Sequence, residues 1–481
     1  MKIKHLKNII IVSFGFLLLF TAYGGLQALQ SSLNPEKGLG VASLSVVYGC
    51  LIMSSLFLPP IIIKKIGCKW TIVASMCCYV TYSIGNFKPN WYSLIITSAI
   101  LGIGGGPLWA SKCTYLTISG IKYAHQTGKE KMDVVNQYFG IFFLIYQSSG
   151  IWGNLISSLV LNQNQNKVHY PKHADHVEIR AVGMEVFLKL TLSEAPNNIS
   201  YSYCGANNCP KATPELSNTT TPVSGVSDIM RYTLMGIYTG SGVIAVLLIV
   251  IFLDQIDLSE EQKREDENPT IWNSLLGTIK QLKDIRQCLL IPLTMFSGFQ
   301  QGFLSSDYTK AYITCALGIH FVGYVMICYG ATNSISSMAS GKLSQYTGRI
   351  SLFMLAAAVS ISCIIALLLW SPNPDQLAVF FIFPALWSLS DAICQTLLNA
   401  FYGVLFDDHK EAAFANYRLW ESLGFVISFA YSNYLCVSVK LYIVLSILLI
   451  GMILYLVVEY LEYRKHKIMA LDTNAVNMTE S

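Results

Sequence analysis

The chain has 481 residues, of which 53% are apolar (AVILMFWYC) and only 12% are Asp, Glu, Lys or Arg, about half the charged share of a soluble domain. With a mean hydropathy of +0.48 it reads as a polytopic membrane protein whose first partner is the lipid bilayer, not as a water-soluble module. The net charge of +4 comes with no basic run suited to nucleic acid.

In chain order, a basic start, Met1-Lys-Ile-Lys-His-Leu-Lys7, precedes an apolar run from Asn8 to about Leu29. A cleaved secretory signal can begin in this way, with Ala22-Tyr-Gly24 as its cleavage site. Against that, Phe20-Thr-Ala-Tyr-Gly-Gly25 has an echo in Phe296-Ser-Gly-Phe-Gln-Gln-Gly302. A removed segment has no reason to be repeated, so the first span is expected to be retained. Further spans are predicted at about 41–63, 70–87, 92–118, 134–160 and 229–253, then at about 288–306, 319–340, 350–370, 377–403, 418–437 and 441–461. These make twelve stretches of bilayer-crossing length. The expected architecture is an all-α integral membrane protein in two pseudo-symmetric halves, 1–253 and 288–462, with a linker at 254–287 and a tail at 463–481.

Basic residues set the expected orientation. Lys64, Lys65 and Lys69 follow the second span, Lys122, Lys129 and Lys131 the fourth, Lys263, Arg264, Lys280, Lys283 and Arg286 the sixth, and Arg464, Lys465 and Lys467 the last. The alternate short loops carry single lysines only, Lys37, Lys88, Lys310 and Lys440. Both termini are therefore expected in the cytoplasm, and the long polar loop 162–228 outside. That loop contains Asn198-Ile-Ser200 and Asn218-Thr-Thr220, two glycosylation acceptors. It also holds Cys204 and Cys209, close enough to close a small disulfide in an oxidising compartment. The other cysteines lie in spans or near their ends, where the expectation is small apolar filler. None has metal-ligand spacing.

Two spans depart from plain lipid-facing composition. Leu101-Gly-Ile-Gly-Gly-Gly-Pro-Leu-Trp-Ala-Ser-Lys-Cys-Thr-Tyr-Leu-Thr117 packs four glycines, a proline and Lys112 into an apolar run. Phe383-Pro-Ala-Leu-Trp-Ser-Leu-Ser-Asp-Ala-Ile-Cys-Gln-Thr396 repeats the plan with Asp391. Lipid supplies no partner for a loosened backbone or a buried charge, so such segments face protein or a water-filled space. The spacing Gly102-x-x-x-Gly106 suits close helix packing, and Pro107 could instead bend the helix to line a cavity. Lys112 lies towards the cytoplasmic half of its span, where its stem can snorkel. Asp391 is near mid-membrane, where an unpaired acid costs about 2.5–3.5 kcal/mol on insertion scales. The two are expected to face a shared, partly hydrated cavity and to stabilise one another there. Asp307 is placed at the outer edge of its span, and Arg418 with Glu421, three apart on one helical face, reads as a local surface pair.

A second repeat points to homologous halves. Lys64-Lys-Ile-Gly-Cys-Lys-Trp70 follows the second span and Gly341-Lys-Leu-Ser-Gln-Tyr-Thr-Gly-Arg349 the eighth. The latter resembles the major facilitator loop signature G-x-L-x-D-x-x-G-R, with Gln345 in place of the acid. The first keeps Gly67 and basic neighbours. Gly67, Gly341, Gly348 and Arg349 are thus candidates for the cytoplasmic gate loops. In the facilitator family the missing acid helps latch that gate, which puts ordinary transport cycling in question.

Across nearly its whole length the chain resembles the Unc-93 family of facilitator-like membrane proteins. The stretches that carry the resemblance are Leu101–Thr117, Pro384-Ala-Leu-Trp-Ser-Leu-Ser-Asp391, Asn399-Ala-Phe-Tyr-Gly-Val-Leu-Phe406 and above all Glu411-Ala-Ala-Phe-Ala-Asn-Tyr-Arg-Leu-Trp-Glu-Ser-Leu-Gly-Phe425. The resemblance implies a twelve-span plasma-membrane or endosomal protein. Among its members, one is tied to two-pore potassium channels as a regulatory subunit and another escorts nucleic-acid-sensing receptors. Two functions follow as expectations. One is an accessory subunit of another membrane protein, such as a potassium channel. The other is a carrier of a small solute through a central cavity. No enzyme and no cofactor is expected: His125 and His320 are isolated, and no nucleophile–base pattern or phosphate-binding loop is present.

Overall fold

The computed structural model describes residues 2–33, 39–162, 203–210, 228–256, 277–318, 320–432 and 434–479. Asn198, Asn218 and most of the linker lie outside the described residues. Every regular element among the described residues is helical. The long ones are α1 (Lys2–Leu33), α2 (Leu39–Gly85), α3 (Trp91–Thr127), α4 (Lys131–Gln147), α5 (Ser149–Asn162), α6 (Asp228–Phe252), α7 (Ile285–Gly302), α8 (His320–Thr347), α9 (Arg349–Leu369), α10 (Leu377–Leu405), α11 (Lys410–Ser432) and α12 (Val437–Thr479).

Each predicted span falls on helix, with four differences. The second and third spans are one helix, α2, broken at Gly67. The fifth is divided between α4 and α5. The seventh runs on from α7 into a π-helical turn, Phe303–Thr314. The eleventh begins at Lys410, well before the predicted start. Eight helices among the described residues are long and apolar enough to cross a membrane. Helices α7, α8 and α11 are not among them, because they carry polar side chains such as Gln300, Gln301, Asn333, Arg418 and Glu421. Gln301, Asn333, Arg418 and Glu421 belong to the polar interior between and beside the two halves.

Helix α3 shows why the glycine-rich run is helical. Asn90 caps it, accepting from Ser93 N at 2.7 Å in a capping box, and Gly128 closes it in a left-handed conformation. The helix passes through Pro107 without a break. A Cβ on Gly102 would lie 2.4 Å from Val47 O, and one on Gly106 2.8 Å from Ser55 N. Close backbone packing against α2, not a bend, therefore accounts for these glycines. Ser54 Oγ donates to Gly102 O at 2.9 Å across the same contact.

The halves meet along α4–α8, α2–α11, α4–α10 and α3–α11. At the end of the bundle where α1 starts, hereafter the terminal side, the seam is tight. A Cβ on Gly341 would meet Gly140 Cα at 3.0 Å and Asn136 O at 2.7 Å. Gln137 Nε2 donates to Gln345 Oε1 at 3.0 Å. Deeper in, Cys113 Sγ lies 3.1 Å from Asn399 Oδ1, and a Cβ on Gly403 would collide with Thr117 Oγ1 at 2.3 Å. Towards the opposite side, which bears residues 203–210, the seam opens.

Candidate functional site

The opening is a cavity of about 310 Å³ between the halves. Its walls come from α1, α2, α3, α4, α5, α7, α8, α10, α11 and the π-helical turn after α7. One wall is aromatic. Phe20 packs on Trp109 and on Tyr146, each at 5.1 Å between ring centroids, and Tyr23 on Tyr79 at 5.1 Å. The facing wall is polar, with Gln301, Gln395, Arg418 and Glu421.

Arg418 and Glu421 are the charged members of this wall. One turn apart on α11, they form an ion pair through Nη1 and Oε2. They are 7% and 4% exposed, so the expected surface pair is a buried one. The correction follows from the early start of α11, which carries both residues into the bundle. Glu421 Oε1 also accepts from Gln395 Nε2 at 2.7 Å and Ser297 Oγ at 3.1 Å. The Arg418 guanidinium lies 4.2 Å over the Trp109 ring and 4.9 Å from that of Tyr417. Its Nε and Nη2 meet no acceptor.

A polar chain continues from here. Gln301 Nε2 bridges Ser297 Oγ at 3.4 Å and Asp391 Oδ1 at 3.1 Å. Asp391 Oδ2 accepts from Tyr329 OH and Asn333 Nδ2, both at 2.7 Å. Asp391 is thus hydrogen-bonded by α7 and α8, within its own half. Lys112 is fully buried in a cage of rings. Its Nζ lies 4.2 Å from the Phe142 centroid, 4.9 Å from Phe143, 5.0 Å from Trp109 and 5.4 Å from Phe139. It makes no hydrogen bond. The expected Lys112–Asp391 pair is not formed, and neither side chain lies on the cavity wall. Each charge finds its stabilisation locally: the lysine stem stops at aromatic faces on α3 and α4, and the acid accepts three hydrogen bonds from its own half. Snorkelling does not describe Lys112 either, since its ammonium stays inside.

Gly67 (φ 77, ψ 165) and Gly348 (φ 74, ψ 156) turn the chain in the same way. Arg349 donates from Nε and Nη2 to both oxygens of Glu459, at 2.6 and 2.7 Å, and stacks 4.3 Å over Phe401. This ties α9 to α12 rather than one half to the other. Gly341 forms the backbone contact with Gly140, and Gln345, where the signature has an acid, makes the neutral amide bond with Gln137.

The expected disulfide is corrected. Cys204 bonds to Cys315 and Cys209 to Cys436. A short 3₁₀ turn, Gly205–Asn207, sends the two thiols to different helix ends. Asn208 O accepts from Val437 N at 3.0 Å, and Gly205 seats the turn on Tyr312 and Pro372. The segment of the long loop at 203–210 is therefore fastened to the second half. Beside it Asp307, expected at the outer edge of its span, is buried, 2% exposed. It accepts from Lys440 Nζ at 2.6 Å and from Ser432 Oγ at 2.8 Å. Among the described residues no group of His, Cys, Asp or Glu is arranged to hold a metal ion.

Two halves around a seam cavity, sealed at one end, define a membrane protein of the major facilitator fold. Solved structures agree. The chain superposes on the human organic anion transporter MFSD10 with a TM-score of 0.59 at 10% identity, over 94% of this chain and 99% of that one. It matches the Escherichia coli fucose:proton symporter FucP at 0.58 and 13%, over 95% and 99%. The chain belongs to the UNC-93 family, whose model, described as ion channel regulatory protein UNC-93, matches residues 33–456. It is 60% identical to protein unc-93 homolog A of Xenopus laevis over 98% of this chain and 97% of that protein. The human protein of the same description is 53% identical over 99% and 98%. The unc-93 protein of Caenorhabditis elegans, provisionally described as a potassium channel regulatory protein, is 32% identical over 96% of this chain and 62% of its own length.

Proposed function

We propose that this protein is an accessory subunit of another plasma-membrane protein, with an ion channel of the potassium type as its partner. Its termini are cytoplasmic, and loop 162–228 is extracellular and glycosylated at Asn198 and Asn218. The observation that carries this reading is the family match over residues 33–456, joined to the channel-regulating description of the nematode relative. The terminal side supports it. Where a cycling facilitator would keep a charged latch, Gln345 pairs with Gln137 through neutral amides, beside a glycine-to-glycine backbone contact.

Affinity purification from native membranes, with quantitative mass spectrometry, is the test. A channel subunit should co-purify in near-stoichiometric amount, and its current should change when this protein is removed. Recovery of no ion channel after cross-linking would overturn the reading. The second reading, a solute carrier, is favoured by the seam cavity and by the facilitator fold. Reconstitution in proteoliposomes with a measured solute flux would support it.

A further inference from the structure

We propose that the seam cavity binds a small organic carboxylate with a flat apolar body, its carboxylate held by Arg418 and its body stacked on the aromatic wall. The inference concerns the cavity on which the carrier reading rests, but binding does not require transport.

The hydrogen bonding of the charged groups decides the sign of the ligand. Four charged side chains lie in or behind the cavity walls, and each of the two acids already accepts three hydrogen bonds. Asp391 accepts from Gln301, Tyr329 and Asn333. Glu421 accepts from Arg418, Gln395 and Ser297. The cations are not saturated. Arg418 gives only Nη1 to Glu421, while Nε and Nη2 are buried without an acceptor, and Lys112 Nζ has none at all. Both cations lie over the same indole, that of Trp109, at 4.2 and 5.0 Å. A buried donor left unmet costs about 1–3 kcal/mol, more when it is charged. What the site lacks is therefore an acceptor. An organic cation would find only carboxylates that already accept three hydrogen bonds each, that of Glu421 being also neutralised by Arg418. A carboxylate brings two coplanar oxygens, the geometry a guanidinium fork recognises, and because Nε and Nη2 are closed off from the cavity the guanidinium must turn towards the ligand to receive them.

The aromatic wall decides the body. Rings of Phe20, Tyr23, Tyr79, Trp109 and Tyr146 lie 5.1 to 5.5 Å from their neighbours and offer faces to a planar group. At about 310 Å³ the space is at the lower end of the roughly 300–1,000 Å³ typical of small-molecule sites. Gly24 and Gly150 border it, and a Cβ on either would meet nothing within 4 Å. The room thus depends in part on two missing side chains.

The test uses the purified full-length protein and three probes that share one ring: indole-3-acetate, indole-3-acetamide and tryptamine. These are anionic, neutral and cationic at pH 7. At concentrations far above its Kd, indole-3-acetate should raise the midpoint of thermal unfolding by at least about 3 °C. It should also bind at least tenfold more tightly than the amide or the amine by titration calorimetry. Arg418→Gln combined with Glu421→Gln, which leaves no stranded charge, should abolish the preference for the anion. Gly24→Leu and Gly150→Leu leave the ion pair untouched and grow into open space. Each should keep the unliganded unfolding midpoint and lose at least tenfold in binding. Equal affinity for the three probes, unchanged binding in both glycine variants, or no binding of indole-3-acetate at millimolar concentration would each overturn the proposal. Uptake of labelled indole-3-acetate into proteoliposomes is scored separately. Binding without uptake removes the carrier reading and leaves the site standing.

Discussion

Gly67 and Gly348 share one backbone conformation, φ 77 and ψ 165 at the first and φ 74 and ψ 156 at the second, at matching points of the two halves. Only glycine enters this region readily, and another residue held there costs on the order of 1–3 kcal/mol. Space is not the issue. A Cβ on Gly348 would meet nothing within 4 Å, and one on Gly67 only Gln255 Nε2 at 3.5 Å. Gly67→Ala and Gly348→Ala should therefore each lower stability by about that amount through the backbone alone. The sites lie in different halves and share no partner, so the losses should add. Thermal unfolding in detergent measures both effects. Wild-type midpoints in the single variants would show that alanine fits these turns.

The two loops could be matched in the sequence because a turn that only glycine can make leaves glycine behind, even where the acid and most neighbours have changed. The spans were legible for a related reason, since lipid excludes most polar residues and apolar runs of bilayer length are conspicuous. The same signal hides the cavity wall. Arg418 and Glu421 lower the local hydropathy, so the eleventh span was expected to start at about 418 and the pair to lie at its edge. The helix begins at Lys410 and places both inside. The run Ala412-Ala-Phe-Ala415, apolar and N-terminal to the pair, was the available sign. Lys112 misled in another way. Its opposite-charge counterpart in the repeat suggested a pair, whereas its cage is drawn from Phe139, Phe142 and Phe143 on α4, a contact that no sequence spacing encodes.

The cysteine connectivity gives a covalent prediction. Proximity in sequence favoured Cys204 with Cys209. Cys315 and Cys436, however, follow the seventh span and end the eleventh, on the same side as the long loop, and parity was the better guide. Mass spectrometry of non-reduced digests should find Cys204 linked to Cys315 and Cys209 to Cys436. A Cys204–Cys209 peptide would contradict the fold of this segment. Cys204→Ser and Cys315→Ser should be equally destabilising, by about 2–5 kcal/mol, and the double variant no worse than either.

Lys112 and Asp391 are held by separate neighbours, so their removal should be independent. Lys112→Met deletes a charge that has no acceptor and leaves an apolar stem among four rings, so it should not lower the unfolding midpoint. Asp391→Asn should weaken the bonds from Tyr329, Asn333 and Gln301 and cost about 1–3 kcal/mol. The double variant should show the sum of the singles within about 0.5 kcal/mol. A double variant clearly more stable than that sum would mean the two charges feel one another directly.

Arg418 and Glu421 should behave in the opposite way. They are buried, adjacent and joined through Nη1 and Oε2, and Glu421 also takes donors from Gln395 on α10 and Ser297 on α7. Removing one member of such a pair leaves a charge in a low-dielectric interior, at a cost of about 3–5 kcal/mol, whereas replacing both is often mild. Arg418→Gln strands Glu421 with two neutral donors. Glu421→Gln strands Arg418 with Trp109 and Tyr417 as its only company. The second loss should be the larger, because the guanidinium already has two nitrogens without acceptors and would lose its one carboxylate. The double glutamine variant can keep a side-chain amide bond across the same turn and should recover more than half of the loss of the worse single. Surface delivery in cells and unfolding midpoints in detergent report the same order if the effect is on the fold. Additive losses would mean that the pair is not coupled and that Gln395 and Ser297, not Arg418, hold the carboxylate.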